Sequence, residues 1–205
     1  MKKRNKIVFG VDEAGRGCLA APVIAAAVAM INWRKFVFKF GKIREIKDSK
    51  KLSAKKREEI FKILKNCSFI EWGLGRVSEK KIDKINILEA TKLAMVKAVR
   101  NLAKKIKKKP NLLLIDGNFK IPIKIKQKTI IKGDEKIPII KLASIIAKVK
   151  RDKIMEKYHL KYPQYGFSKH KGYPTKHHFK MLKRYGPCKI HRKTFKPVKN
   201  LKLLK

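Results

Sequence analysis

Four carboxylates in this chain, Asp12, Glu13, Asp116 and Asp134, have the types and surroundings to hold a divalent cation. Carboxylate oxygens are the ligands that hard ions such as Mg²⁺ and Mn²⁺ prefer, and acids crowded together need a cation between them. With 15 acidic residues against 56 basic ones, acids in such positions are not background. Asp12 and Glu13 are adjacent in Asp12-Glu13-Ala14-Gly15-Arg16-Gly17, where glycine lets backbone come close to a ligand. Taken singly, Asp116 or Asp134 reads as a turn or helix-cap residue, a role that suits aspartate. Only a fold that gathers them makes a metal site.

The elements around them point to such a fold. Residues 6–11 and 22–30 are rich in Val, Ile and Ala and read as two strands joined by a tight loop that carries Asp12 to Gly17. A helix is expected after the N-cap Ser53, with Ile60, Phe61 and Leu64 inward, and residues 68–76 alternate as a strand. Asn86 with Glu89 forms a capping-box pattern opening a long helix whose buried stripe is Leu88, Met95, Val99, Leu102 and Ile106. Leu112 to Ile115 is a continuous apolar run, expected to be a strand buried on both faces, and Asp116 ends it. A short strand over 128–131 leads to Lys132-Gly133-Asp134, and a helix follows from about Ile139 to Tyr158. Thr175 caps a later helix that stops at Gly186-Pro187. This order implies an α/β domain with a central sheet, and such sheets carry their sites at strand ends.

Composition narrows the partner. The formal charge of +41 attracts polyanions, so nucleic acid is the expected ligand, although part of the lysine excess reads as solvated surface. An apolar fraction of 44% supports a packed core, and 205 residues fit one domain spanning 1–205. The basic start runs into Ile7 to Val11, too short for a secretion signal, and the apolar run from Cys18 to Ile31 contains Pro22 and is too short to cross a bilayer. Cys18, Cys67 and Cys188 form no CxxC pair, so neither disulfides nor a zinc site is expected, and a reducing cytoplasm fits.

Here the chain resembles a known family. The segment Gly10-Val11-Asp12-Glu13-Ala14-Gly15-Arg16-Gly17, followed by Pro22-Val23, is similar to the signature of ribonuclease HII. Further matches follow in order: Asp48-Ser49-Lys50-Lys51-Leu52-Ser53, Asn86 to Thr91, Ile115-Asp116-Gly117-Asn118, Lys132-Gly133-Asp134, Ala143 to Val149, Arg151-Asp152, Tyr162 to Phe167 and His170 to Thr175. Together they span roughly residues 7–198. The resemblance implies a ribonuclease H-like α/β fold, with a central mixed sheet flanked by helices and a mostly helical C-terminal part. It implies a monomeric endoribonuclease acting on RNA–DNA hybrids and on DNA containing single ribonucleotides. It further implies two-metal-ion hydrolysis, with Mn²⁺ or Mg²⁺ held by Asp12, Glu13, Asp116 and Asp134, leaving 3′-hydroxyl and 5′-phosphate ends. By the same resemblance, Gly15, Arg16 and Gly17 contact the backbone at the 2′-hydroxyl beside the cut, Tyr173 stacks on the next sugar, and Lys50 binds a phosphate.

Two positions depart from the pattern. Ala21 stands where the family has a glycine before Pro22, and Pro138 to Leu142 is less alanine-rich than usual, both bearing on local packing rather than on the four acids. Ribonuclease HIII shares the carboxylates but adds an N-terminal substrate-binding domain, for which a first motif starting at Gly10 leaves no room. A non-catalytic basic binding protein would have no use for the acids, which weaken phosphate binding unless compensated. His170 carries no assigned role.

Overall fold

The computed structural model describes residues 6–32 and 52–201. Five strands, β1 (Val8–Ala14), β2 (Val23–Met30), β3 (Ile70–Val77), β4 (Leu112–Asp116) and β5 (Gln127–Ile130), form one sheet in the order β3-β2-β1-β4-β5. β1 to β3 pair antiparallel as a meander, whereas β1, β4 and β5 run parallel, so the sheet is mixed as expected. The helices are α1 (Ala54–Lys65), α2 (Glu79–Ile106), α3 (Gly133–Lys136), α4 (Pro138–Lys161), α5 (Phe167–His170), α6 (Lys176–Tyr185) and α7 (Lys196–Lys199). None among the described residues is long and apolar enough to cross a membrane.

The sheet is covered on both faces, which explains why β2, Val-Ile-Ala-Ala-Ala-Val-Ala-Met, scarcely alternates in polarity. One face packs Phe9, Val11, Ala25 and Ala27 against Met95, Val99 and Leu102 of α2. The other packs Ala26 and Val28 against Ile140, Ala143 and Ile146 of α4. Small side chains let the helices come close: a Cβ on Gly75 would lie 1.9 Å from the Ala94 carbonyl oxygen, so α2 rests on β3 at backbone distance.

Register gathers the acids. In the parallel β1/β4 pair, Val11 faces Ile115, so the next residues, Asp12 and Asp116, emerge side by side. Asp12 and Glu13 lie inside β1, opposite Ala26 and Ala25, rather than in the loop expected after residue 11. Ladder pairing with β2 holds them in place, and a strand end is a stiffer mount than a turn.

Three other expectations change. α2 begins at the N-cap Ser78, not at Asn86; Asn86 breaks it with φ of 63° and restarts it, its Oδ1 accepting from Leu88 N at 2.9 Å and Glu89 N at 3.1 Å. The capping signal was therefore genuine but marks a kink. That kink turns Leu88 outward, and Ile85 and Ile87 pack inward instead. In β4 only Leu113 and Ile115 are buried; Leu112 and Leu114 are half-buried, because β4 lies one strand from the sheet edge. Asp134 sits in the first turn of α3, beyond the end of β5. Thr175 caps α6 by accepting from His178 N, and Gly186 ends it, as the sequence indicates.

Candidate active site

The four acids do not sit in equivalent surroundings. Asp12 is buried in β1, between β2 and β4 in the sheet and with α4 packed against the strand, and its Oδ1 accepts from Glu13 N at 2.7 Å. Burial, then the charges of Glu13 and Asp116, push the Asp12 carboxyl well above its usual range, against a smaller opposing effect from the Ser144 hydroxyl. Glu13 is also raised, chiefly by burial; Arg16, at 3.5 Å, opposes this and Asp116 reinforces it. Asp116 Oδ1 accepts from Gly133 N at 2.7 Å, which ties the end of β4 to α3. The neighbouring Asp134 is fully buried there.

Among the described residues no three acidic, His or Cys side chains converge into a ready-made metal cage. Asp12 accepts from Glu13 N, Asp116 accepts from Gly133 N, and Glu13 lies between the Asp12 carboxyl, which it meets by a side-chain hydrogen bond, and Arg16. The donor set nevertheless suits a hard cation. It is all oxygen and largely buried, and the negative charges of Asp12, Glu13 and Asp116 oppose one another, the condition that a divalent ion relieves.

Beside the acids opens a cavity of ≈ 440 Å³ whose wall includes Glu13, Gly15, Arg16, Gly17, Lys148 and Tyr173. Its two glycines have different reasons. Gly15 is demanded by the fold, with φ of 99° and an imagined Cβ 2.0 Å from Arg151 Nε. A Cβ on Gly17 would meet nothing within 4 Å, so packing does not require glycine there. Arg16 spans from Glu13 to the ring of Phe119, 5.3 Å from its centroid. Across the cavity Lys148 Nζ lies 5.3 Å from the centroid of Tyr173 and 3.0 Å from Asp152 Oδ1. Arg57, on the same wall, faces Asp152 Oδ2 at 3.7 Å. Lys50 lies outside the described residues.

Two buried arginines hold the glycine loop, and the sequence reading gave them no role. Arg192 donates to the carbonyls of Gly15 (2.7 Å), Arg16 (2.8 Å) and Ala21 (2.9 and 3.0 Å). Arg151 donates to Ala20 O, Pro22 O and Lys171 O. A guanidinium suits this work because its fixed fork of donors can satisfy several carbonyls at once. The same bonds explain Ala21: its φ of 72° is costly for a residue with a Cβ, and Arg192 together with Ala21 N to Ile190 O at 2.8 Å fixes the backbone there. α4, through Arg151, and the segment between α6 and α7, through Arg192, thus reach back and lock the loop next to the acids. A signal was available, since only ten of the 56 basic residues are arginine, and Arg151 and Arg192 are two of them.

Comparison with known proteins agrees with this arrangement. The family model described as Ribonuclease HII matches residues 9–198, from β1 to α7. Ribonuclease HII of Chlamydia muridarum is 48% identical over 199 residues, covering 97% of this chain and 86% of the relative. That of Polynucleobacter asymbioticus is 48% identical over 195 residues, 95% of each chain. Among solved structures, ribonuclease H2 from Pyrococcus horikoshii superposes with a TM-score of 0.73 at 28% identity, covering 94% of this chain and 95% of that one. A mixed sheet that sets Asp12 beside Asp116, a glycine loop held by the buried Arg151 and Arg192, and a family match across both place the chain in the ribonuclease HII family, as a ribonuclease H.

Proposed function

We propose that this protein hydrolyses the RNA strand of RNA–DNA hybrids and cuts 5′ of ribonucleotides embedded in duplex DNA, using two divalent ions, Mg²⁺ or Mn²⁺. The observation that carries the reading is the register that sets Asp12 and Glu13 of β1 beside Asp116 of β4, with Glu13 lining the adjoining cavity, in a strongly basic protein. Asp12, Glu13, Asp116 and Asp134 would hold the metal. When bound, it would lower the pKa of a water so that hydroxide is available to attack phosphorus, and would supply positive charge for the departing 3′ oxygen.

The other residues follow from the cavity. Gly15, Arg16 and Gly17 present backbone groups to the ribose, and the open space at Gly17 is where a 2′-hydroxyl can approach within hydrogen-bonding reach. Arg16 holds Glu13 on one side and is partly exposed on the other, free to meet a phosphate as the loop meets the sugar. Tyr173, 40% exposed at the cavity wall, offers an aromatic face on which the following deoxyribose packs and where an added hydroxyl would crowd. Arg57 and Lys148 put positive charge on the same wall for the strand's phosphates.

The test is a substrate panel. The wild-type protein is expected to cut a DNA duplex bearing one ribonucleotide on its 5′ side and to cut long hybrids as well, leaving 3′-hydroxyl ends. Tyr173→Ala is expected to depress cleavage of the single-ribonucleotide duplex by about 10- to 100-fold, since misplacing a reacting group costs that much. Its fold and its thermal shift with metal stay intact. A wild-type protein that cuts continuous RNA stretches and ignores the lone ribonucleotide contradicts the junction reading.

A further inference from the structure

We propose that His178, backed by His191, is a positioning residue that sets Tyr173 in the cavity wall. The inference rests on the role given to Tyr173 above. Neither histidine reaches the cavity, and both are buried.

The hydrogen bonds fix the direction of a chain. Cys188 N donates to His191 Nδ1 at 2.9 Å, so that nitrogen carries no proton and the neutral ring bears its hydrogen on Nε2. His191 Nε2 lies 3.0 Å from His178 Nε2, which must therefore accept. His178 is then protonated on Nδ1, which donates to the Tyr173 carbonyl at 2.9 Å. No other pair of neutral tautomers satisfies all three contacts. A second proton on either ring would set two N–H groups against each other.

The surroundings keep that state. Burial first, and then the neighbouring histidines, push both His178 and His191 down to about 4, so both are neutral at working pH. His170 stacks on His178 with centroids 4.4 Å apart and accepts from Gly172 N through Nδ1 at 3.1 Å. Phe167 meets both rings, and Tyr165 meets His191.

Tyr173 stands at the join between this chain and the glycine loop. Gly172 O accepts from Leu19 N at 2.8 Å, and Lys171 O accepts from Arg151, the arginine that also grips Ala20 and Pro22. One side of the tyrosine is thus tied to the loop that would meet the ribose. The other is tied through His178 to α6. The distance between ring and loop, on which recognition of a ribose followed by a deoxyribose depends, is set by both ties.

Three variants test this: His178→Phe, which keeps a ring but removes both bonds; His178→Asn, whose amide N–H can replace the Nδ1 donor; and Tyr173→Ala. Each is assayed on single-ribonucleotide and continuous hybrid substrates, well below its melting midpoint. His178→Phe is expected to lower kcat on the single-ribonucleotide duplex about 10-fold or more with a smaller change in KM, while the continuous hybrid is less affected. His178→Asn is expected to stay within about threefold of wild type, and adding His178→Phe to Tyr173→Ala is expected to cost nothing further, since residues acting through one group are not additive. Should His178→Phe fail to fold, His191→Phe repeats the series from the other end of the chain. Equal losses in the Phe and Asn variants, losses that multiply with Tyr173→Ala, or equal loss on both substrates overturn the positioning role. A Tyr173→Ala protein indistinguishable from wild type instead overturns the role of Tyr173 itself, and the inference with it.

Discussion

Asp12→Asn is expected to yield a protein that is more stable than the wild type in the absence of metal and nearly inactive in its presence. The buried Asp12 carboxyl, crowded by Glu13 and Asp116, is held well above its ordinary range. A group whose folded pKa is raised contributes stability that is complete below its unfolded value and is lost as pH rises through the folded one. As pH rises toward and through that folded value, the metal-free protein progressively gives that stability up. Asparagine keeps the Oδ1 that accepts from Glu13 N and removes the charge. The gain is expected to appear as a higher melting midpoint for metal-free Asp12→Asn than for metal-free wild type, growing as pH rises. Metal binding is expected to raise the wild-type midpoint and to leave that of the variant nearly unchanged, because a ligand stabilises only the state that binds it. Cleavage by Asp12→Asn, and equally by Asp116→Asn, is expected to fall about 10³-fold, since metal ions supply several kcal/mol of transition-state stabilisation. Differential scanning calorimetry with and without divalent ion, beside a cleavage assay, checks both halves.

A second large effect is expected from one methyl group on the glycine loop. Gly15→Ala asks a residue with a Cβ to keep φ of 99°, at roughly 1–2 kcal/mol, and drives that Cβ to 2.0 Å from Arg151 Nε. Arg151 cannot yield cheaply, because its guanidinium is bonded to Ala20 O, Pro22 O and Lys171 O and is buried. Overpacking of this kind adds roughly 1–3 kcal/mol, so a loss of about 3 kcal/mol is expected. The same displacement moves the loop and the Tyr173 segment together, so activity falls at temperatures where the variant is still folded. Gly17→Ala, meeting open space, is the control: its stability is expected to lie within about 0.5 kcal/mol of wild type, with cleavage reduced by the methyl group in the cavity. Chemical denaturation of both variants measures the difference.

How much of this was legible beforehand depends on whether the physics was local. Strand and helix identities followed from hydrophobic period and caps, so β2, β3 and α6 lie where the residues point. The four acids stand out as candidates because acids are scarce in this basic chain and these lie at or just beyond the ends of apolar runs. What escaped was non-local. No pattern within 6–14 says that β1 continues through Asp12 and Glu13; that follows from pairing with β2. Asn86 carries the correct capping signal, yet whether it opens a helix or kinks one depends on Ser78 and on how α2 lies across β3. Arg151 and Arg192 act on carbonyls more than 120 residues away, and in a lysine-rich chain only their being arginine marked them. The His178–His191 pair likewise exists only once α6 and the C-terminal segment meet.

The central claim, metal-dependent cutting beside a ribonucleotide, is tested most directly by one incubation. A DNA duplex with a single ribonucleotide, labelled at the 5′ end of that strand, is mixed with purified protein in chelator, in Mg²⁺ and in Mn²⁺, and the product is sized and its 3′ end identified. The expected result is no cleavage in chelator and, with either or both ions, one product ending in a 3′-hydroxyl immediately 5′ of the ribonucleotide. Cleavage that persists in chelator, or intact duplex under every condition while the protein binds it, would contradict the claim.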